Sequence, residues 1–416
     1  MKTRADNKRK LWPFVLIGLI LVIALYVSWV YFVAKPVVSP SFRVKYISAV
    51  VPAKSLAWPS GTQAAIGLGS SGAIGTYGTQ KPVAMASEAK LITALCVLNK
   101  YPLALNQAGP TITLGPSDVA IYAKYQSEDG SDLVVINGEK LSEYQMLQAM
   151  LLPSADNIAD SLAIWAFGSL PNYSVYANQY VKSQGLSETT VGLDASGFDS
   201  GSMTTAANLV SIGQLFMASP VLANIVGLPS ATGFPVVGTI KNVNFDLGKD
   251  NIIGIKTGNT EQAGGVFLSA SKITVNNSPL VVYTAVMQAP TLFDALANSL
   301  PLVLSVQSNF TSVFGVSLLP DGQEVAEYTV PWSNKKVPVV VSQPIELTSW
   351  GGSRVISTIS LDKISNDDKA GQIVGQIVIK SSLLNGSATD SLVLSRAISP
   401  PSKIWLILHP QSFIHL

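Results

Sequence analysis

Two serines and two lysines, set in three short motifs, have the chemistry for acyl transfer. Ser87 and Lys90 are one helical turn apart, so the amine can reach the hydroxyl on the same helix face. Ser154 opens a second motif, Ser154-Ala-Asp156-Asn157, and Lys256 opens a third, Lys256-Thr257-Gly258. A buried lysine near a second cation loses its proton more easily and can then deprotonate a serine. The residue types therefore predict a serine nucleophile with a lysine as its base.

The sequence around each motif predicts the element that holds it. The spacing Ser-x-x-Lys alone is unspecific, because it occurs at Ser87/Lys90, Ser269/Lys272, Ser333/Lys336 and Ser360/Lys363. Only Ser87 precedes a long apolar run, Leu91 to Leu98, which predicts a buried helix that begins near the serine. Lys256-Thr257-Gly258 occurs once, after the apolar segment Ile252 to Ile255, and predicts a strand, a turn and a second strand.

Composition excludes most other hydrolytic sites. The only histidines are His409 and His415, close to the end of the sequence, and the only cysteine is Cys96. A Ser-His-Asp triad, a Cys-His peptidase and a histidine-rich zinc site all need imidazoles inside the fold. Cys96 lies in the apolar run after Ser87, where a packed thiol is expected, and one cysteine allows no intramolecular disulfide. If the chain hydrolyses a substrate, lysine must be the base.

The three motifs, in this order and spacing, resemble serine peptidase family S11, the D-alanyl-D-alanine carboxypeptidases or low-molecular-mass penicillin-binding proteins. The resemblance extends from roughly Ala57 to Phe314 and includes Gly138-Glu-Lys-Leu141 and Met203-Thr-Thr-Ala206. It implies an α/β (α+β) fold of the serine β-lactamase and penicillin-binding-protein-like transpeptidase type, in which helices flank an antiparallel sheet. It also implies that the chain trims the terminal D-alanine of peptidoglycan stem peptides, that β-lactam antibiotics inhibit it, and that it uses no metal or other cofactor.

The resemblance also implies a role for each motif residue. Ser87 would be the nucleophile and Lys90 its base, and Ser154 would relay the proton towards the leaving amine. Lys256 would supply the second positive charge and, with Thr257, bind the substrate's terminal carboxylate. The backbone NH groups of Ser87 and Asn259 would form the oxyanion hole. Gly258 would let the strand lie close to the ligand.

Two departures from the family pattern limit this assignment. The middle motif of the family is usually Ser-x-Asn, whereas here Asp156 holds the third position and Asn157 follows it. Either the acid replaces the amide, or the local turn presents Asn157, and both residues are also suited to cap a helix. An ionised Asp156 beside Lys90 would weaken the base. The segment from Val282 to Asp294 also lacks the basic residue that many members use to hold the carboxylate.

Two alternative functions stay open. A catalytically weakened protein of the same fold could bind cell wall or regulate its synthesis, and Asp156 is the feature in its favour. A β-lactamase would need a deacylating carboxylate in a Glu-x-x-Leu-Asn type of loop between the second and third motifs, and the sequence contains none. Nucleic acid is not an expected partner, because only 12% of the residues are charged and the net charge is +2.

The N-terminus predicts a membrane anchor. The run from Phe14 to Ala34 carries no charge and is long enough, at about 1.5 Å per residue, to cross a bilayer. Basic residues precede it, which favours a cytoplasmic N-terminus and a catalytic domain outside the cell membrane. A cleaved signal peptide is less favoured, because Phe32-Val-Ala34 is a poor cleavage site.

The residue patterns in the rest of the sequence predict how the chain divides into domains. The predicted divisions are residues 1–13 for the cytoplasmic N-terminus, 14–34 for the transmembrane anchor, 35–50 for a linker, 51–315 for the catalytic domain and 316–416 for a small all-β domain. The last assignment rests on alternating β-branched segments such as Lys336 to Val341 and Gln372 to Ile379. No catalytic role is expected of that domain.

Overall fold

The computed structural model describes residues 6–33, 36–38, 48–275, 277–313, 322–345, 347–382 and 387–412. The chain forms two compact units, one made of Lys54–Asn309 and the other of Met1–Ala53 together with Phe310–Leu416. All three motifs lie in the first of these. The domain limits proposed from the sequence stay predictions, and most of the proposed linker 35–50 (35 and 39–47) lies outside the described residues.

The unit Lys54–Asn309 combines helices with one main sheet. Its helices are α2 (Ala89–Lys100), α3 (Pro116–Ser127), α4 (Glu143–Leu151), α5 (Asp156–Phe167), α6 (Leu170–Ser183), α7 (Ala206–Met217), α8 (Pro220–Val226) and α9 (Leu292–Ser308). Its main-sheet strands are β3 (Gln63–Leu68), β4 (Ala73–Tyr77), β11 (Ile252–Thr260), β12 (Gly264–Val275) and β13 (Ser278–Ala289). Shorter strands are β5 (Val83–Ala84), β6 (Thr111–Thr113), β7 (Lys140–Ser142), β8 (Met203–Thr204), β9 (Ser230–Phe234) and β10 (Gly238–Lys241).

The main sheet is antiparallel and has helices on both faces. Its strand order is β11-β12-β13-β3-β4. Successive side chains of β12 point to opposite faces, because strand side chains alternate. A Cβ on Gly213 of α7 would lie 3.0 Å from the Leu268 side chain, whereas the next residue, Ser269, hydrogen-bonds on the other face to Ser299 of α9. The expected fold, an antiparallel sheet flanked by helices, is confirmed.

The register of the sheet decides where Lys256 points. Lys256 pairs directly with Leu268 across β11 and β12, and directly opposed residues share a face. Lys256 therefore lies on the face that carries α7, and Gly258, two residues further on, lies there too. The expected strand, turn and second strand around Lys256-Thr257-Gly258 are confirmed as β11 and β12.

Apolar helices fill the space on this face. In α2, Leu91, Ile92, Ala94, Cys96 and Val97 are all buried, so the helix is apolar on most sides and lies inside the unit rather than on its surface. The Cys96 thiol belongs to this core, and burial raises its pKa. The core fixes the start of α2, and with it the turn that holds Ser87.

The second unit is mainly β. Its strands are β1 (Val37–Val38), β2 (Ser48–Val50), β14 (Phe310–Val313), β15 (Glu324–Val330), β16 (Lys335–Val341), β17 (Leu347–Trp350), β18 (Arg354–Leu361), β19 (Ile364–Ser365), β20 (Ile373–Ser381) and β21 (Ser387–Leu394). Six of them form a sheet in the order β15-β16-β21-β20-β18-β2. The β-rich C-terminal region expected from the sequence is confirmed.

The described residues of the second unit also include the α-helices α1 (Asp6–Phe32) and the short α10 (Lys403–Leu408). Within α1, the segment Trp12–Phe32 is apolar, has a mean hydropathy of 2.5 and is long enough to cross a membrane. Tyr26 donates a hydrogen bond to the Ile407 carbonyl, and Lys403 donates one to the Tyr31 carbonyl. The expected N-terminal apolar helix is confirmed. The basic residues Lys2 and Arg4, used to orient it, lie outside the described residues.

Candidate active site

Ser87 lies in a tight turn that leads directly into α2. The residues Ala86–Glu88 form a 3₁₀ turn, and α2 begins at Ala89. Ala86 has a φ of 49°, in the left-handed region, and a Cβ on Gly197 would lie 2.0 Å from the Ala86 carbonyl oxygen. Only a glycine fits against this turn, so Gly197 is required where the chain passes Ser87. Ser87 is half-buried, which leaves its hydroxyl within reach of a ligand.

Lys90 makes the contact that its spacing from Ser87 predicts. Its Nζ donates a hydrogen bond to Ser87 Oγ at 2.7 Å, and the side chain is completely buried. Nζ also donates to the Ser196 carbonyl at 3.1 Å and to Asp156 Oδ1 at 2.6 Å. These three contacts account for the three hydrogens of an ammonium group, and one of the acceptors is a carboxylate. The Lys90 amine is therefore held in a buried ion pair.

Asp156 and Asn157 turn in different directions at the start of α5. Ala155 is the N-cap of α5, and Asp156 is its first residue, where a negative charge is favourable. Asp156 Oδ2 accepts from the Ser131 NH at 2.9 Å, while Oδ1 faces Lys90. Asn157 is bonded through both side-chain atoms to the backbone NH and carbonyl of Leu133, each at 2.9 Å. Of the two possibilities that the sequence left open, Asp156 is the residue in contact with Lys90.

Ser154 pairs with the lysine of the third motif. Lys256 Nζ donates to Ser154 Oγ at 2.9 Å and to the Thr257 carbonyl at 2.7 Å. Ser154 has a φ of 66°, an uncommon conformation for a residue other than glycine, and Lys256 is only 1% exposed. The site thus contains two hydrogen-bonded pairs, Ser87 with Lys90 and Ser154 with Lys256. Among the described residues, no direct hydrogen bond joins the two pairs.

The strand β11 passes close to the Ser87 turn. A Cβ on Gly258 would lie 3.0 Å from the Ala86 Cβ and 3.1 Å from the Ser87 nitrogen. Glycine at this position therefore lets the strand approach the turn itself, as well as any ligand above it. Thr257 is buried and Asn259, one residue after Gly258, is exposed. The backbone NH groups of Ser87 and Asn259 consequently lie on neighbouring segments.

Glu88 is a residue of the site that the motifs alone did not identify. It follows Ser87 directly, is 0% exposed, and neither carboxyl oxygen makes a hydrogen bond of normal geometry to a described residue, the Leu268 backbone being only a weaker polar contact. Burial raises its pKa well above the ordinary value, against the opposing effects of Lys256, Lys90 and the Leu268 backbone. The sequence signal that could have identified Glu88 as a site residue is an acidic residue at the start of an otherwise apolar helix.

The electrostatics of Lys256 follow from the same surroundings. Burial, reinforced by the nearby Lys90 charge, lowers the pKa of Lys256 to about 7, and Glu88 and Asp156 act in the opposite direction. Lys256 can therefore change its charge near neutral pH, unlike an exposed lysine. Groups with pKa values shifted by burial and a specific charge partner are common at catalytic sites.

A loop beside the site is organised by a buried acid. Asp194 accepts hydrogen bonds from the backbone NH groups of Ser196, Gly197 and Asp199. This loop presents the Ser196 carbonyl to Lys90. It also borders a cleft of about 490 Å³ lined by Lys124, Glu128, Leu170, Leu193, Asp194, Phe198, Asp199, Ser200 and Gln262. Gln262 lies in the turn between β11 and β12, so the cleft is adjacent to the strand of the third motif.

Several solved structures share this fold. Penicillin-binding protein 5 from Haemophilus influenzae is 20% identical, with a TM-score of 0.56 over 84% of this chain and 100% of its own. A peptidoglycan synthesis regulatory factor (PBP3) from Streptococcus pneumoniae is 18% identical, with a TM-score of 0.56 over 83% and 100%. The Streptomyces K15 DD-transpeptidase is 18% identical, with a TM-score of 0.53 over 61% and 98%. At these identities the likeness concerns the fold.

Comparison of sequences identifies the family. No match was found among curated proteins. The family model of the D-alanyl-D-alanine carboxypeptidases, peptidase family S11, matches residues 69–291. This range contains all three motifs and covers more than half of the 416 residues. The chain therefore belongs to the S11 family of D-alanyl-D-alanine carboxypeptidases, which are serine peptidases and penicillin-binding proteins of the cell wall.

Proposed function

We propose that this chain is a membrane-anchored serine carboxypeptidase that removes the terminal D-alanine from peptidoglycan stem peptides and is inhibited by penicillins. The observation that carries the proposal is the 2.7 Å hydrogen bond between Lys90 Nζ and Ser87 Oγ, at a turn that faces the strand of Lys256-Thr257-Gly258. The family supplies the substrate class. The geometry of this chain supports the proposed roles of the nucleophile, its base and the carboxylate-binding strand.

The first chemical step forms an ester on Ser87. Ser87 Oγ attacks the carbonyl carbon of the penultimate D-alanine, and its proton passes to Lys90 once that amine is neutral. The carbon–nitrogen bond then breaks, and the terminal D-alanine leaves with a proton on its nitrogen. Backbone NH groups of Ser87 and Asn259 would stabilise the oxygen that becomes negative. Water then hydrolyses the ester and regenerates Ser87.

Ser154 is suited to deliver the proton to the leaving amine. Its hydroxyl accepts a hydrogen bond from Lys256, so its own hydrogen is free to point into the site. A proton given to the substrate can be replaced from Lys256, whose charge changes near neutral pH. Proton transfer by a positioned group of this kind contributes about 10²–10⁴-fold to a rate.

The free carboxylate of the substrate would bind at β11. A charged Lys256 and the Thr257 hydroxyl are the groups of that strand able to recognise it. The same two groups would hold the carboxylate of a penicillin. We further propose that Asp156 and Asn157 shape this end of the site, Asp156 through Lys90 and Asn157 through its two bonds to Leu133.

The apolar segment Trp12–Phe32 would fix the enzyme to the cell membrane as a single-pass anchor. Basic residues before that segment favour a cytoplasmic N-terminus, so the catalytic unit would lie outside the membrane, where peptidoglycan is accessible. Cysteine-scanning with a membrane-impermeant thiol reagent in intact cells tests this orientation. Labelling of a cysteine placed at Asn106, but not of one placed at Asp6, is expected.

A second candidate function follows from the ion pair of Lys90 and Asp156. An ammonium bonded to a carboxylate at 2.6 Å is not a base, so the chain could be a weakened relative that binds cell wall without efficient turnover. This candidate shares the fold and the ligand with the first. The two differ in whether Ser87 becomes acylated and whether D-alanine is released.

Labelling by a fluorescent penicillin tests the proposal. The full-length protein in detergent is expected to form a covalent adduct, which mass spectrometry of the labelled peptide places on Ser87. Ser87→Ala is expected to abolish the adduct. Ser333→Ala is the matched control, because Ser333 has the same spacing to Lys336 but lies in the other unit. Release of D-alanine from a stem pentapeptide then distinguishes a carboxypeptidase from a weakened binder. An adduct that survives Ser87→Ala would refute the assignment.

A further inference from the structure

The carboxyl group of Glu88 is an unexplained feature beside the nucleophile. A carboxyl removed from water without a hydrogen-bond partner is costly, so its presence beside the nucleophile calls for an explanation. Glu88 lies on the turn that carries Ser87, and the turn is packed against α2, β11 and β12. The groups of these elements that act on Glu88 are Lys256 of β11, Lys90 of α2 and the backbone of Leu268 on β12.

The buried charges of the site form two acid and base pairs of different kinds. Lys90 and Asp156 are in direct contact at 2.6 Å. Glu88 and Lys256 are also both fully buried, but the structure shows no hydrogen bond between them. Lys256 uses its contacts on neutral oxygens, those of Ser154 and Thr257. Within the described part of the chain, Glu88 is therefore the acid left to balance a charge on Lys256.

We propose that Glu88 is a positioning residue that keeps the positive charge on Lys256 and thereby the ability of β11 to bind a carboxylate. An isolated buried ammonium would lose its proton, because a low-dielectric interior disfavours the charged form. A carboxylate nearby offsets that cost. When the proton moves from Glu88 to Lys256, the pair changes from neutral to zwitterionic and its net charge stays the same. Asp156 does not serve this purpose directly, since its Oδ1 faces Lys90.

The consequence for the reaction rests on the function proposed above. Carboxylate substrates and penicillins would bind the charged form of Lys256. Their reaction with Ser87 should then weaken as pH rises through the pKa of Lys256, which lies at about 7. Without Glu88, Lys256 loses its proton at lower pH, and the decline begins earlier.

A titration of Lys256 tests the inference without requiring activity. The full-length protein, labelled with ¹³C at lysine Cε, is titrated by NMR, and the Lys256 signal is assigned by its loss in Lys256→Arg. In Glu88→Gln the midpoint is expected to fall by about one pH unit. Glu88→Asp is expected to recover part of that shift. Glu88→Leu, which fills the same apolar space, provides a second test if the glutamine variant does not fold.

Glu143 supplies a matched control. It is also a fully buried glutamate whose two oxygens lack partners among the described residues, but it lies on α4 and is not among the groups that shift the pKa of Lys256. Glu143→Gln is expected to leave the Lys256 midpoint unchanged. If the loss of any buried acid shifted the Lys256 midpoint, Glu88→Gln and Glu143→Gln would shift it by similar amounts.

Acylation kinetics provide the second measurement. The second-order rate constant for a fluorescent penicillin is measured between pH 5 and 9. The fall of this rate constant at high pH should begin about one pH unit lower in Glu88→Gln than in the wild type. In Glu143→Gln it should begin at the wild-type pH. A Lys256 midpoint that is unchanged or raised in Glu88→Gln overturns the inference. Absence of acylation in the wild-type protein refutes the proposed function, and the NMR result would still decide the role of Glu88.

Discussion

Replacing Asp156 by asparagine should make the protein less stable and its nucleophile more reactive. Asp156 accepts two hydrogen bonds, one from Lys90 and one from the Ser131 NH. An asparagine side chain has one acceptor oxygen, so Asp156→Asn can satisfy only one of these donors and turns its NH₂ group towards the other. The ion pair that holds Lys90 as an ammonium is lost.

The magnitude follows from the burial of the pair. Lys90 and Asp156 side chains are 0% and 4% exposed, and removal of one partner of such a pair costs about 3–5 kcal/mol. An asparagine keeps one of the two accepted hydrogen bonds, so we expect the free energy of unfolding to fall by about 3 kcal/mol, the lower end of this range. If about half of that energy opposes proton transfer from Ser87 in the wild type, acylation accelerates about tenfold.

The assay compares two measurements on the same full-length protein in detergent. Urea unfolding followed by tryptophan fluorescence gives the stability, and fluorescent penicillin at pH 7 gives the acylation rate. Lys336→Gln is the matched control, because Lys336 also lies 2.6 Å from a carboxylate, that of Glu327, but the Lys336 side chain is 55% exposed. This control should change stability by less than about 1 kcal/mol and leave acylation unchanged. Acylation slowed tenfold or more in a folded Asp156→Asn variant would refute the reasoning and make Asp156 the acceptor of the Lys90 proton.

Three further predictions concern single residues. Ser154→Ala should slow acylation about 10²-fold, because Lys256 loses its route to the substrate, and an unchanged rate would exclude Ser154 from proton transfer. Gly258→Ala should cost about 1–3 kcal/mol in urea unfolding and reduce penicillin labelling, since its Cβ would lie 3.1 Å from the Ser87 nitrogen. Burial raises the pKa of Glu143 to about 7, so wild-type stability should decline as pH rises from 4.5 to 7. Glu143→Gln should make that decline in urea midpoints shallower without abolishing it, because burial also raises the pKa of Glu88 and of Asp160. An unchanged pH dependence of the midpoints would contradict the prediction.

Local patterns predicted the elements around the first and third motifs, and the resemblance to the S11 family implied how they assemble into the fold. The apolar run after Ser87 predicted a buried helix, and the apolar approach to Lys256 with glycines after it predicted a strand and turn, and both are present. The spacing of Ser87 and Lys90 fixes their contact through helix geometry alone. These features depend on neighbours in sequence, which a linear pattern records.

The contacts that sequence could not decide depend on segments distant along the chain. Whether Asp156 or Asn157 faces Lys90 is set by the segment Ser131 to Leu133, whose backbone takes up one oxygen of the acid and both ends of the amide. The lack of a normal hydrogen bond to Glu88 within the described part of the chain likewise depends on the packing of β11 and β12 against the Ser87 turn. No periodicity in the sequence reports such tertiary contacts.

The two acid and base pairs should be coupled through the repulsion between their lysines, and a double variant can measure this. Lys90 lowers the pKa of Lys256 more than Asp156 raises it. Asp156→Asn removes the carboxylate that raises the pKa of Lys256 and, once Lys90 becomes neutral, also the charge that lowers it. The effect of Lys90 is the larger of the two, so the Lys256 midpoint should rise. Added to Glu88→Gln, it should move the midpoint back towards the wild-type value. If the two sites were independent, the shift of the Lys256 midpoint in the double variant would equal the sum of the two single shifts, which have opposite signs. Residues that share partners instead depart from additivity by about 0.5–3 kcal/mol. A double variant whose Lys256 midpoint lies below that of Glu88→Gln would show that Lys90 keeps its charge without Asp156, and would require another acid to hold it.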